Sequence, residues 1–141
     1  MMGSYYMHEG TLSIPQTWND ASRNFFTWKQ GDEALTLAVI RDQLDDEDFD
    51  LEQYARDQEK KLKDQLPQFR TIEKYFDEIG NIPAFFMEFA WEPEPGRLHQ
   101  FTTAFRSNNR VISLTGSVPG KMLPKHKAIF EDIFRSFTAR T

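Results

Sequence analysis

Residues 84–118 read AFFMEFAWEPEPGRLHQFTTAFRSNNRVISLTGSV, and this run decides the fold. It holds three strand-like segments, 84–92, 97–106 and 110–118, rich in aromatic and β-branched residues. Pro93-Glu94-Pro95-Gly96 separates the first two, and Asn108-Asn109 is a two-residue turn that tolerates positive φ. Connections this short join antiparallel neighbours, because parallel strands need a long crossover. Just downstream, 124–137 sets Ile129, Phe130, Ile133, Phe134 and Phe137 along one helical stripe. An antiparallel meander followed by an amphipathic helix is the core of an α+β layer pair.

Working upstream, 69–78 is strand-like and meets 84–92 through a Gly80-Asn81 turn. Leu51 to Leu66 carries apolar residues at 51, 54, 55, 62 and 66, a helical stripe. Asp50 stands as its N-cap with Gln53 three residues on, and Pro67 ends it. Residues 34–41 (ALTLAVIR) are apolar nearly throughout, which suits a strand covered on both faces. Residues 23–29 (RNFFTWK) precede it across the turn Gln30-Gly31-Asp32. Residues 9–14 (EGTLSI) alternate and stop at Pro15 as an edge strand would, followed by a Trp18-Asn19-Asp20 turn. The expected order is β-β-β-α-β-β-β-β-α. This is one α+β domain over residues 1–141, an antiparallel sheet with two main helices.

Composition narrows the function. The chain has 141 residues, 17 basic and 22 acidic, a formal net charge of -5, mean hydropathy -0.64 and no cysteine. Without Cys there is no disulfide framework, thiolate metal site or Cys nucleophile. The acidic balance argues against a nucleic-acid binder, whose phosphate contacts need clustered Lys and Arg. No apolar run approaches the ~18–20 residues of a membrane span, and Met1 to Gly10 has no apolar signal-peptide region. A soluble cytoplasmic domain is expected. Against that polar background stand 13 Phe, 4 Tyr and 3 Trp, which must be placed somewhere.

Motifs for chemistry are absent. Asp46-x-Asp48-x-Asp50 resembles the opening of a calcium loop, but Leu51 and Asp57 stand where Gly and Glu are required. The acidic stretch 42–50 reads instead as carboxylates complementing the positive end of the following helix. His8, His99 and His126 are far apart with no second ligand at helical spacing. In Gly116-Ser117-Val118-Pro119-Gly120 the serine stands second, so it is no nucleophile elbow. Glu88 and Glu92 alternate with Phe85, Met87, Phe89 and Trp91 and read as the solvated face of a strand. The expectation is a non-enzyme without metal or cofactor.

The informative features are faces. In 97–106 one face reads His99, Phe101, Thr103, Phe105, a core face. The other reads Leu98, Gln100, Thr102, Ala104: small, semi-apolar and uncharged, where an acidic protein would ordinarily show Lys or Glu. Leu37 and Val39 in the third strand, and Phe26 and Trp28 in the second, offer similar material. Along 51–66, positions 51, 55, 58, 62 and 66 form one stripe with Gln58 at its centre. Gln58 and Gln100 would thus place two amides in an apolar groove. Helices pack in bilayers through small residues, amides and hydroxyls, because no water satisfies their polar groups. A groove so lined would hold an apolar helix, each shielded Leu- or Phe-sized side chain gaining roughly 1.5–3 kcal/mol.

Tyr6-x-His8-Glu9-Gly10-x-Leu12-x-Ile14-Pro15, Trp18-x-Asp20, Phe25-Phe26 and Leu35-Thr36-Leu37-Ala38-Val39-Ile40-Arg41 resemble the Eag chaperones, small DcrB-like proteins associated with type VI secretion effectors. The resemblance runs over nearly the whole chain. It implies a PsbP-like fold and a homodimer that cradles the N-terminal transmembrane segments of a prePAAR/PAAR effector until the VgrG spike is loaded, with no enzyme activity or cofactor. Carried over by position, the client-helix-binding residues are Phe26, Leu37, Val39, Gln58, Leu62, Leu66, Leu98 and Gln100, with Trp28 beside them. The alternative is a PsbP-like module for a small apolar ligand or a folded protein partner.

Overall fold

A computed structural model describes residues 2–7, 10–15, 23–31, 33–44, 49–93 and 96–138. Its elements are β1 (Met2–Met7), β2 (Gly10–Pro15), β3 (Arg23–Gln30), β4 (Glu33–Gln43), α1 (Leu51–Gln65), β5 (Arg70–Ile79), β6 (Ile82–Trp91), β7 (Leu98–Ser107), β8 (Arg110–Pro119) and α2 (Pro124–Arg135). Four strands rather than three precede α1, because residues 2–7 are extended and pair with 10–15 as a separate two-stranded sheet. The expected turns at Trp18–Asp20 and the acids Asp45 to Asp48 lie outside the described residues.

The main sheet has six strands in the order β3-β4-β8-β7-β6-β5, every neighbouring pair antiparallel. Its tight turns follow from residue chemistry. Asn108 and Gly80 take positive φ (55° and 61°), conformations that Asn and Gly adopt at little steric cost. Asp50 caps α1, its carboxylate accepting the Glu52 and Gln53 backbone N–H groups at 3.0 and 3.3 Å.

The two helices lie on opposite faces. α2 lays Phe130 and Phe134 over β7 and β8, with ring contacts from Phe134 to Phe101 and from Phe137 to Phe105. Gly116 makes this close approach possible: a Cβ there would lie 2.3 Å from the Phe130 ring. α1 packs Ala55, Leu51, Leu62 and Leu66 against Phe85, Met87 and Phe89 on the other side. Alternation along β6 therefore feeds both layers, Phe86 to one and its odd-numbered neighbours to the other.

β4 departs from expectation. Leu35 is buried, but Thr36 to Arg41 are only half-buried. The strand sits next to the edge of the sheet, where the helices give out, so its apolar character is not fully used by this chain.

Candidate functional site

The register of the sheet assigns every side chain to a face. Gln100 opposes Ser117, which opposes Thr36; Thr102 opposes Thr115, which opposes Ala38; Ser113 opposes Ile40. Phe25 faces Ala38 and Thr27 faces Thr36 on β3. All share the α1 side of the sheet with Leu98 and Trp91. α1 covers the β5–β6 half of that side, and Tyr54 extends as far as Ser113, hydroxyl to hydroxyl at 3.4 Å. Burial pushes the Tyr54 phenol above its ordinary range, so it stays neutral. Beyond Tyr54 lies a ledge of Thr36, Ala38, Ile40, Ser113, Thr115, Ser117, Gln100 and Thr102, all half-buried and none charged. Phe25 stands at its rim, 66% exposed.

The polar groups of the ledge are held in place. The Trp91 indole N–H donates to Gln100 Oε1 at 2.7 Å, and Gln100 Nε2 donates to Ser117 Oγ at 2.8 Å. Thr102 donates to the Leu114 carbonyl at 3.1 Å and lies 2.8 Å from the Thr115 hydroxyl. A linked chain of this kind fixes each rotamer while leaving further lone pairs and protons for a visitor.

The eight residues assigned from sequence do not meet in one groove. Leu98 and Gln100 lie on the ledge side, with Gln58, Leu62 and Leu66 on the α1 stripe. Phe26, Leu37 and Val39 point to the opposite face, toward α2, as does Trp28. The correction has a physical cause. The β3–β4 turn fixes those two strands relative to each other, but the β4–β8 pairing that joins them to β7 is non-local, and a one-residue offset exchanges the faces. The residues of β3 and β4 that share the ledge face are Phe25, Thr36, Ala38 and Ile40, one position away from those chosen.

Phe26, Trp28, Leu35 and Leu37 instead line a separate groove of about 350 Å³ with Ile129, Phe130 and Ile133 of α2. It is almost wholly apolar, and Phe26 is 58% exposed. Among the described residues at its edge, Thr27 is the one that bears a hydroxyl, and the groove has no counterpart to the linked amide and hydroxyls of the ledge.

Glu88 is also corrected: it lies beneath α2, not on a solvated face. Its carboxylate accepts from His99 Nε2 at 2.6 Å and from Lys127 Nζ at 2.8 Å, and Lys127 reaches Glu73 at 3.0 Å. Burial works against the charged forms, but these bonds win, holding Glu88 below and Lys127 above their ordinary ranges. His99 Nδ1 accepts the Met122 backbone N–H at 2.8 Å, so its Nε2 carries the proton given to Glu88. The cluster is fully occupied in holding α2 to the sheet.

A family model described as DcrB matches residues 9–136. The chain belongs to the DcrB family. This DcrB-family protein is also 24% identical over 140 residues to "Effector EagT6" of Pseudomonas aeruginosa, covering 99% of this chain and 97% of that one. The resemblance to Eag proteins drawn from the residues is thereby supported along the full length. In fold it is similar to a Pseudomonas aeruginosa protein of unknown function, PA94 (TM-score 0.80, 23% identity, 99% and 98% of the two chains covered). It is also similar to the cyanobacterial PsbP of Synechocystis sp. PCC 6803 (TM-score 0.59, 11% identity, 99% and 92% covered). The fold is PsbP-like.

Proposed function

We propose that this DcrB-family protein is a type VI secretion effector chaperone, with no catalytic activity of its own. It binds the N-terminal transmembrane helices of a prePAAR/PAAR effector and shields them in the cytoplasm until the effector is loaded onto the VgrG spike. The working form is a homodimer, two ledges enclosing more apolar surface than one. The observation that carries the reading is the ledge itself: a patch of eight uncharged residues, with Arg23, Lys29 and Asp42 only at its rim, bearing a preset amide and hydroxyls in a chain of net charge -5. A transmembrane helix offers apolar side chains with occasional small and polar ones, and such a face answers both. Apolar contact supplies most of the affinity, and the Gln100 and Thr102 groups discriminate between helices. No helix among the described residues is itself long and apolar enough to cross a membrane.

Co-expression with the apolar N-terminal segment of an effector tests this. The chaperone is expected to keep the segment in the soluble fraction and co-purify with it. Gln58→Ala with Gln100→Ala should reduce recovery of the complex. Unchanged recovery would remove the amides from the account.

A further inference from the structure

We infer that a cationic groove on the far flank of α1 docks a carboxylate-rich segment of the protein client; that the segment belongs to the client rests on the function proposed above. The groove, about 570 Å³, lies between α1 and β5 and is lined by Arg56, Lys60, Lys63 and Lys74 around Phe69, Thr71 and a single carboxylate, Glu59. Both oxygens of Glu59 are already engaged, one by the Thr71 hydroxyl at 2.6 Å and one by Lys74 at 2.7 Å. Lys60 and Lys63 lie within ion-pair distance of no carboxylate among the described residues, although Lys63 acts on Glu59 through space, and Arg56 donates to Gln53 Oε1 at 3.0 Å and lies 4.0 Å from Glu52. Arg56, Lys60 and Lys63 follow one another at i, i+4 and i+7, so three bases share one flank of the helix, and Lys74 of β5 adds a fourth across the groove. In a chain with more acids than bases, this concentration answers an anion from outside.

An acidic peptide fits better than nucleic acid. Glu52, Asp57 and Asp64 on α1 bracket the groove and would repel any anionic chain running far beyond it, which suits a short run of carboxylates and not a continuous phosphate backbone. The groove is sized for a few side chains, and the half-buried Phe69 gives its floor an apolar contact point. Its position relative to the ledge is also telling. Tyr54 reaches from α1 toward β8, whereas Glu59 reaches toward β5, so ledge and groove flank the same helix. A helix is about 10 Å across, a span that about three or four extended residues bridge. A client lying on the ledge could therefore pass over α1 and set adjacent carboxylates in the groove.

The test uses the full chain and a fluorescent decapeptide of Asp and Glu with one Phe, read by anisotropy against its Asn/Gln counterpart. A single-stranded oligonucleotide and vesicles containing anionic lipid serve as competing probes. The acidic peptide should bind, weaken as salt screens the contact, and lose roughly tenfold or more in affinity when Lys60→Glu and Lys63→Glu are combined. Unchanged melting of that variant would show that the fold is intact, and its capture of an isolated apolar segment should persist. The inference is overturned if the amide counterpart binds as well, if the double variant binds unchanged, or if oligonucleotide or vesicles bind more tightly. Peptide binding without capture of any apolar segment would sink the chaperone function while leaving the groove as an acidic-peptide site.

Discussion

The two faces of the six-stranded sheet are made from the same strands and spend their side chains differently. On the α2 side, Phe86, Phe101, Phe105, Phe130 and Phe134 are closed together, and the charges that approach them are paired. On the α1 side, closure passes β6 only at one end, over Ala104 and Val111 beneath Tyr54, and the rest of β7, β8 and β4 leaves threonine, serine, alanine, isoleucine and glutamine half-buried. One face is built for stability. The other leaves part of that burial unmade, and it is there that the proposed client helix would lie. Substitutions should therefore separate cleanly, those on the first face unfolding the protein and those on the second disabling it while folded.

The largest effect is expected for Phe134→Ala. The ring is fully buried against Phe101 and Phe130, and its loss should lower the unfolding free energy by about 3–5 kcal/mol in urea titration. Gly116→Ala comes next, at about 1–3 kcal/mol, because the added methyl meets the Phe130 ring and α2 must move outward. Glu88→Gln should cost a comparable or smaller amount, about 1–3 kcal/mol, by leaving Lys127 and His99 poorly answered. The same residue fixes a pH signature. Its folded carboxyl titrates below the unfolded one, so its contribution is complete above about pH 4.3 and is lost as pH falls through the folded value. Acid titration of stability should accordingly be shallower in Glu88→Gln than in the unaltered protein. Smallest is Thr115→Val on the ledge, expected to change stability by less than about 1 kcal/mol while altering which apolar helices are retained.

How legible this was in the sequence differs by region in the same way. Period-two and helical patterning located every main-sheet strand and both helices within a few residues, because each signal is local. The Asp50 cap and the Asn108 turn are equally local and stand where expected. The additional N-terminal strand, Met2–Met7, escaped because its sequence, MGSYYM, sets Tyr5, Tyr6 and Met7 side by side and carries no alternation. The candidate ledge was half legible. Gln100 announced itself by standing uncharged on an outward face, and Gln58 by its place in an apolar stripe. Which residues of β3 and β4 share that face depends on a pairing to β8 made across more than seventy positions of chain, and no local pattern encodes it. Glu88 misled for a related reason: its partner Lys127 comes from α2, so a strand pattern alone showed only an acid among rings.

The central claim is that the ledge, rather than the apolar groove beside α2, receives the client helix. Two single charges decide it in one co-purification experiment with an effector's apolar N-terminal segment: Thr115→Lys at the centre of the ledge and Ile129→Lys at the mouth of the groove. Both positions are at least partly exposed, so both variants should fold with melting temperatures near that of the unaltered chain. The account predicts that Thr115→Lys loses the segment to the insoluble fraction and that Ile129→Lys retains it. Retention by Thr115→Lys, with loss by Ile129→Lys, would contradict it and move the binding site to the other face of the sheet.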